Sequence, residues 1–235
     1  AKDVILSNII HLILKHARVD VIHDIYIENS LKAQTRKARG AGSRRKVVGT
    51  SKTPKAWSSF LRVDENKTEL FYFLADKICS IQSDKIIFVT KGEIVMTNSD
   101  DDHDDLSPCN HEEADTMIFV HIKSAAEKGC KSSLIISSDT DVVVLAVSLF
   151  KTLQVEKLWV AFGKGKDLRW LPIHEINHAL GPKSEALPFF HAFTGCDTVS
   201  AFHGKGKKSA WQTWEIFDDV TEVFERLSKK PVLVS

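Results

Sequence analysis

Ser132-Ser133-Leu134-Ile135-Ile136-Ser137-Ser138-Asp139-Thr140-Asp141-Val142-Val143-Val144-Leu145 is the stretch on which the reading of this chain turns. Leu134 to Ile136, flanked by small residues, reads as a buried strand over 133–138. An acid-x-acid pair follows at once, and then an apolar run, Val142 to Phe150, that is a buried helix or strand. In open parallel sheets functional groups gather at the carboxyl ends of strands. Asp139 and Asp141, two apart across a turn, can converge there, and two such carboxylates repel unless a cation lies between them. Hard oxygen donors suit Mg²⁺ or Mn²⁺ rather than zinc. A plainer role fits the same residues: capping a helix that starts near Val142.

Working upstream, Glu112 to Lys128 reads as a long helix ended by Gly129. Glu112, Glu113 and Asp115 open it; the helix dipole favours acids there without any function, and the sharper reading turns one or two of them toward the same metals. Further back lie a buried helix or strand over 4–14, a strand from Val19 to Ile27 carrying Asp24, a basic helix over 28–39 and a flexible basic loop over 40–55. A helix over 64–82, a strand or hairpin at Lys85–Thr90 and Ile94–Met96, and an acidic loop from Asn98 to Leu106 follow. Downstream, Leu158–Phe162 is a short strand and Leu171-Pro172 opens a helix ending at Gly181. Pro188–Thr194 is helical, with Pro188 at a tolerated first-turn position. Gly195-Cys196-Asp197 adds another acid, and the glycine turn His203–Lys207 leads to an amphipathic helix, Lys208–Leu227. Strands alternating with helices predict an α/β fold with a mostly parallel sheet.

The bulk numbers narrow the class. At 235 residues and 43% hydrophobic, the chain can bury one sizeable core, and a net charge of +1 excludes a disordered polyelectrolyte. Four scattered cysteines argue against a disulfide framework and a zinc knuckle and fit a reducing compartment. The longest apolar run, Val142–Phe150, is too short to span a bilayer, so no membrane association is expected. The chain opens on Ala1 rather than Met, as a fragment would. Charge is segregated: ten basic residues and no acid between Leu31 and Val63, eight acids and no Lys or Arg between Asp100 and Asp115. A basic arm beside an acidic centre suits handling a phosphate backbone with metal ions; each segment alone fits a solvated loop better.

Taken in order, Glu113-Ala114-Asp115, Asp139-Thr140-Asp141, Gly195-Cys196-Asp197 and His203-Gly204-Lys205-Gly206-Lys207 resemble the flap-endonuclease and XPG-like 5′ nucleases of the PIN-like superfamily, over about residues 110–215. The whole chain more distantly resembles mobile-element-associated animal proteins with such domains, through Asn66-Lys67-Thr68-Glu69-Leu70-Phe71 and His111–Thr116. The resemblance implies a three-layer α/β/α domain over 1–235, with a basic helix/loop insertion at 31–63 and a helix–turn–helix element at 195–227. It implies a structure-specific nuclease acting on DNA with two Mg²⁺ or Mn²⁺ ions, held by Asp24, Asp139, Asp141, Asp197 and some of Glu112, Glu113 and Asp115. Lys32 and Arg36 would face the scissile phosphate, with Arg39 on the same helix. Gly204, Lys205, Gly206, Lys207 and Lys208 would grip the backbone beside a monovalent ion. A catalytically decayed relative that only binds nucleic acid or protein is the alternative. The family has a further aspartate near its N-terminus; Asp3 and Asp20 are the only earlier acids here, and neither sits in a matching context. The expected substrate, with Arg44-Arg45-Lys46 as an import signal, implies a nuclear, non-secreted protein.

One motif points elsewhere. His174-Glu175-Ile176-Asn177-His178 is a literal His-Glu-x-x-His, which on a helix can bind zinc with the glutamate as general base. Ser184 stands where a metzincin has its third histidine, and the bland reading is a surface helix. Asp100–Asp105 lacks the EF-hand glycine, and Trp211 and Trp214 read as a core face.

Overall fold

The computed structural model describes residues 2–26, 42–49, 51–100, 103–109, 113–196, 199 and 201–229. Asp197, Glu112, Lys32, Arg36 and Arg39 lie outside them, as does the expected basic helix over 28–39. The fold is mixed α/β and divides into two units, residues 1–117 and 118–235.

In the first unit, α1 (Lys2–Ile13) precedes β1 (Arg18–Val21), α2 (Trp57–Leu61), α3 (Asp64–Cys79), β2 (Ile86–Lys91) and β3 (Ile94–Thr97). The sheet order is β1-β2-β3, with β1 parallel and β3 antiparallel to β2. β2 is the central strand and is buried from Ile87 to Thr90. Ile9 and Ile13 of α1, Leu74, Ala75 and Ile78 of α3, and Val19, Ile87 and Val89 of the sheet form its core. Asp20 lies in β1, and the Arg18 guanidinium donates to both of its carboxylate oxygens, at 2.8 and 2.9 Å, so its side chain is committed to an ion pair.

α4 (Ala114–Glu127) crosses the division between the units as one continuous helix. The second unit continues with β4 (Ser132–Ser137), α5 (Thr140–Leu149), β5 (Lys157–Phe162), β6 (Arg169–Pro172), α6 (Ile173–Leu180), α7 (Lys183–Phe193), α8 (Lys207–Ile216) and α9 (Val220–Lys229). β4 pairs parallel with β5, and β6 pairs antiparallel with β5. Phe119 and Ile122 of α4 pack with Ile135, Val142, Ala146, Leu158 and Val160 in one core. Phe190, Ala186 and Trp214 anchor a second. Among the described residues no helix is long and apolar enough to cross a membrane.

Several expectations change: the strand expected from Val19 to Ile27 ends at Val21 among the described residues, and Leu171-Pro172, expected to open a helix, ends a strand before it. The mostly parallel sheet is not what the described residues show: each of two three-stranded sheets has one parallel and one antiparallel pair. The links explain it. Only Gly92 and Glu93 join β2 to β3, and residues 163–168 join β5 to β6, whereas a parallel crossover takes a dozen residues or so. The helix expected over 208–227 is two helices, because Phe217 leaves helical geometry (φ −108, ψ 70). Trp214 Nε1 then donates to Thr221 Oγ1 across the break at 2.9 Å. Pro188 sits inside α7 rather than in its first turn, since the helix starts back at Lys183. There the ring removes the hydrogen bond that Ser184 C=O would accept, and the packing of Ala186 and Phe190 outweighs that loss. The basic loop, finally, is tied down over its described residues 42–49 (below).

Candidate metal centre

β4 ends at Ser137, and the chain turns straight into α5. Ser137 Oγ accepts from Asp139 N at 3.1 Å. Asp139 is the N-cap of α5, in extended geometry (φ −94, ψ 131), and its Oδ1 accepts from Asp141 N at 2.9 Å. The capping role is therefore real, and it uses one carboxylate oxygen, leaving the other to a second partner. Asp141 lies in the first turn of α5, and Asp115 in the first turn of α4, the helix whose Phe119 and Ile122 are locked into the β4–α5 core.

Asp115, Asp139 and Asp141 each offer a carboxylate oxygen, and these oxygens lie within 4.8 Å of one another. Carboxylates at that separation repel by about 1 kcal/mol per pair in a water-like medium and ~3 kcal/mol at an effective dielectric of about 20. The two helix N-termini offset part of this. An all-oxygen donor set with room for water, since Asp139 is exposed and the other two half-buried, fits a hard divalent cation such as Mg²⁺ or Mn²⁺.

Asp141 has a fixed neighbour. His191 Nε2 on α7 lies 2.8 Å from Asp141 Oδ1, with the His191 side chain only 12% exposed. Facing a carboxylate acceptor, that nitrogen carries the ring proton. Lys207, at the start of α8, donates from Nζ to His191 O and to Thr194 Oγ1, both at 2.8 Å. Desolvation pushes the Lys207 ammonium below its ordinary value, against the opposing pull of Cys196 and Asp141. Lys207 thus ties the end of α7 to the start of α8 while remaining exposed, as Lys205 and Lys208 are. Gly204 takes φ +68 in the turn before α8, a conformation that favours glycine.

Three of the expected acids thus come together. Glu113 is outside the triad; its backbone carbonyl accepts from Thr116 Oγ1 at 3.3 Å. Asp24 Oδ1 accepts from Ala114 N at 3.0 Å, an anion satisfying a free donor at the head of α4. His191 went unread in the sequence; its signal is a lone polar residue in the run Phe189-Phe190-His191-Ala192-Phe193. His174 turns Nδ1 to Leu158 O at 3.0 Å and lies edge-on to Trp159, while Asn177 donates to Val147 O at 2.8 Å. Both residues fasten α6 to its neighbours, and among the described residues no third ligand joins His174 and His178.

No family model, curated protein or solved structure matches this chain.

Proposed function

We propose that the chain is a metal-dependent nuclease of the PIN-like, flap-endonuclease type, hydrolysing phosphodiesters, with DNA as substrate and the nucleus as its place of work. The observation that carries this reading is the convergence of Asp115, Asp139 and Asp141, contributed by two helix starts and a strand end, with oxygens within 4.8 Å. Bound there, divalent ions would activate a water and stabilise the attacking and leaving oxygens of the phosphate. The protein's own part is to hold the carboxylates. Asp139 is fixed by its cap bond to Asp141 N, and Asp141 by His191. Asp197, Lys32 and Arg36 complete the proposed centre through the sequence resemblance, with Lys205 and Lys208 as backbone contacts. A monovalent ion at the glycine turn belongs to the same reading.

The test uses purified protein with Mg²⁺ or Mn²⁺ and labelled flap, hairpin and single-stranded DNA. Cleavage that needs the metal and disappears in Asp139→Asn plus Asp141→Asn supports the reading. Cleavage that persists in the double variant overturns the site. Tight DNA binding without any cleavage assigns the chain instead to the decayed, binding-only class.

A further inference from the structure

Residues 42–49 carry the densest basic run of the chain, Arg44-Arg45-Lys46, and yet their backbone is held at Ser43, Arg45, Val47 and Val48. Gly42 sits so close to Ser59 O and Val63 that an added Cβ would lie 2.6 Å from both. Ser43 N donates to Ser59 O at 3.1 Å. Asn66, fully buried on α3, satisfies its whole amide on this loop and its neighbour. Its Nδ2 donates to Ser43 O and Phe60 O, each at 2.8 Å, and its Oδ1 accepts from Arg45 N at 2.9 Å and Arg44 Nη1 at 3.0 Å. One turn further along α3, Glu69 accepts from Val47 N at 2.8 Å and pairs with the Arg44 guanidinium, which holds the Glu69 carboxyl below its ordinary range. Ser51 Oγ closes the segment by accepting from Val48 N at 3.0 Å.

Such a clamp immobilises a segment whose outward side chains remain in solvent. Arg44 is spent on Glu69, while Arg45 and Lys46 are exposed, with Lys52, Lys55 and Arg62 exposed nearby in sequence and no acid between residues 31 and 63. A solvated basic loop gains nothing from being fixed. A loop that binds a polymer of regularly spaced charges does gain, because the ordering entropy is met in the fold rather than on binding. A fluid anionic membrane adapts to any arrangement of cations and would give no such return.

We propose that residues 43–48, held in place by Asn66 and Glu69, form a preorganised binding strip for a nucleic-acid phosphate backbone, with Arg45 and Lys46 as its contact residues. The strip lies wholly within the first unit and needs no metal, so it goes beyond the nuclease reading and stands or falls apart from it.

The full chain in EDTA is titrated against a fluorescein-labelled duplex at several KCl concentrations, read by anisotropy. Arg45→Glu plus Lys46→Glu is expected to weaken binding at least tenfold and to cut the slope of log K against log [KCl] by about two, the contribution of two phosphate contacts. The control pair Lys123→Glu plus Lys157→Glu, with the same charge change on exposed lysines of the second unit, is expected to do much less. Asn66→Ala and, at a more exposed position, Glu69→Ala are expected to weaken binding several-fold although Arg45 and Lys46 remain, with faster amide exchange at Arg45 and Val47. Asn66 is buried, so the Glu69 variant decides the matter if Asn66→Ala does not fold. Equal losses in the Arg45/Lys46 and control pairs, wild-type affinity in Glu69→Ala, or an equal clamp-dependent affinity for phosphatidylserine vesicles would each overturn the proposal.

Discussion

Asp139 caps α5 and, in the proposed function, also binds metal, and substitution can separate the two roles. As N-cap of α5 it accepts from Asp141 N, a role that asparagine fills about as well as aspartate. As a metal ligand it supplies charge, which asparagine does not. Asp139→Asn, which keeps the cap and relieves carboxylate repulsion, should therefore not lower the denaturant midpoint while it lowers Mn²⁺ affinity measured by calorimetry. Asp139→Ala should lose the affinity and about 1 kcal/mol of stability as well. Equal destabilisation by both changes would mean that the cap bond is not what aspartate provides. In the proposed centre, His191 acts through Asp141, whose Oδ1 it holds at 2.8 Å. Removing such an outer partner lowers metal affinity by about 10–100-fold. His191→Phe should show that loss, and His191→Gln, which keeps an N–H donor, should restore part of it. A Phe variant that binds Mn²⁺ like wild type would remove His191 from the centre.

At the scale of elements, the second unit depends on how α7 holds its neighbours. Glu185 on α7 pairs with Lys229 of α9 at 2.8 Å and with Lys151 at 3.2 Å. These lysines hold the Glu185 carboxyl below its ordinary range. A carboxyl whose folded value is depressed adds stability above its unfolded value, about 4.3, and that stability disappears as pH falls through the folded value. Glu185→Gln should accordingly lower the melting temperature at pH 7, by the equivalent of up to about 1 kcal/mol, and the difference from wild type should shrink as pH falls below the ordinary glutamate range. A constant difference across that range would show that the cause is packing and not charge. The break in the helix expected over 208–227 also belongs here. Trp214 and Thr221 bond across the interruption at Phe217, so the aromatic cluster around Phe190 is built by α8 folding back through α9.

The whole chain has a net charge of +1, which conceals a basic segment in one unit and an acidic triad at the head of α4 and α5. In the proposed function, a cation bound among these three closely gathered carboxylates stabilises the fold. Mn²⁺ at about one hundred times its dissociation constant should raise unfolding free energy by ~2.7 kcal/mol. The increase should vanish in Asp139→Asn plus Asp141→Asn, with calorimetric melting as the measurement. Monovalent salt at equal ionic strength should not reproduce it.

Much of this was legible in order along the chain. A short apolar strand with small flanks, an aspartate at the following cap and an apolar run give β4, the turn and α5, because strand burial and helix capping are decided within a few residues. Acids at two helix starts could be named from sequence for the same reason. The antiparallel return of β3 was legible as a hairpin across Gly92, but that of β6 was not, because only pairing shows that Arg169–Pro172 is a strand at all. Nor was the choice of Asp115 over Glu113, the contact of His191 with Asp141 from fifty residues away, or the grip of Asn66 on Ser43 and Arg45. These are decided by where helices pack, and a hydrogen bond between distant residues leaves no periodicity in the sequence that makes it.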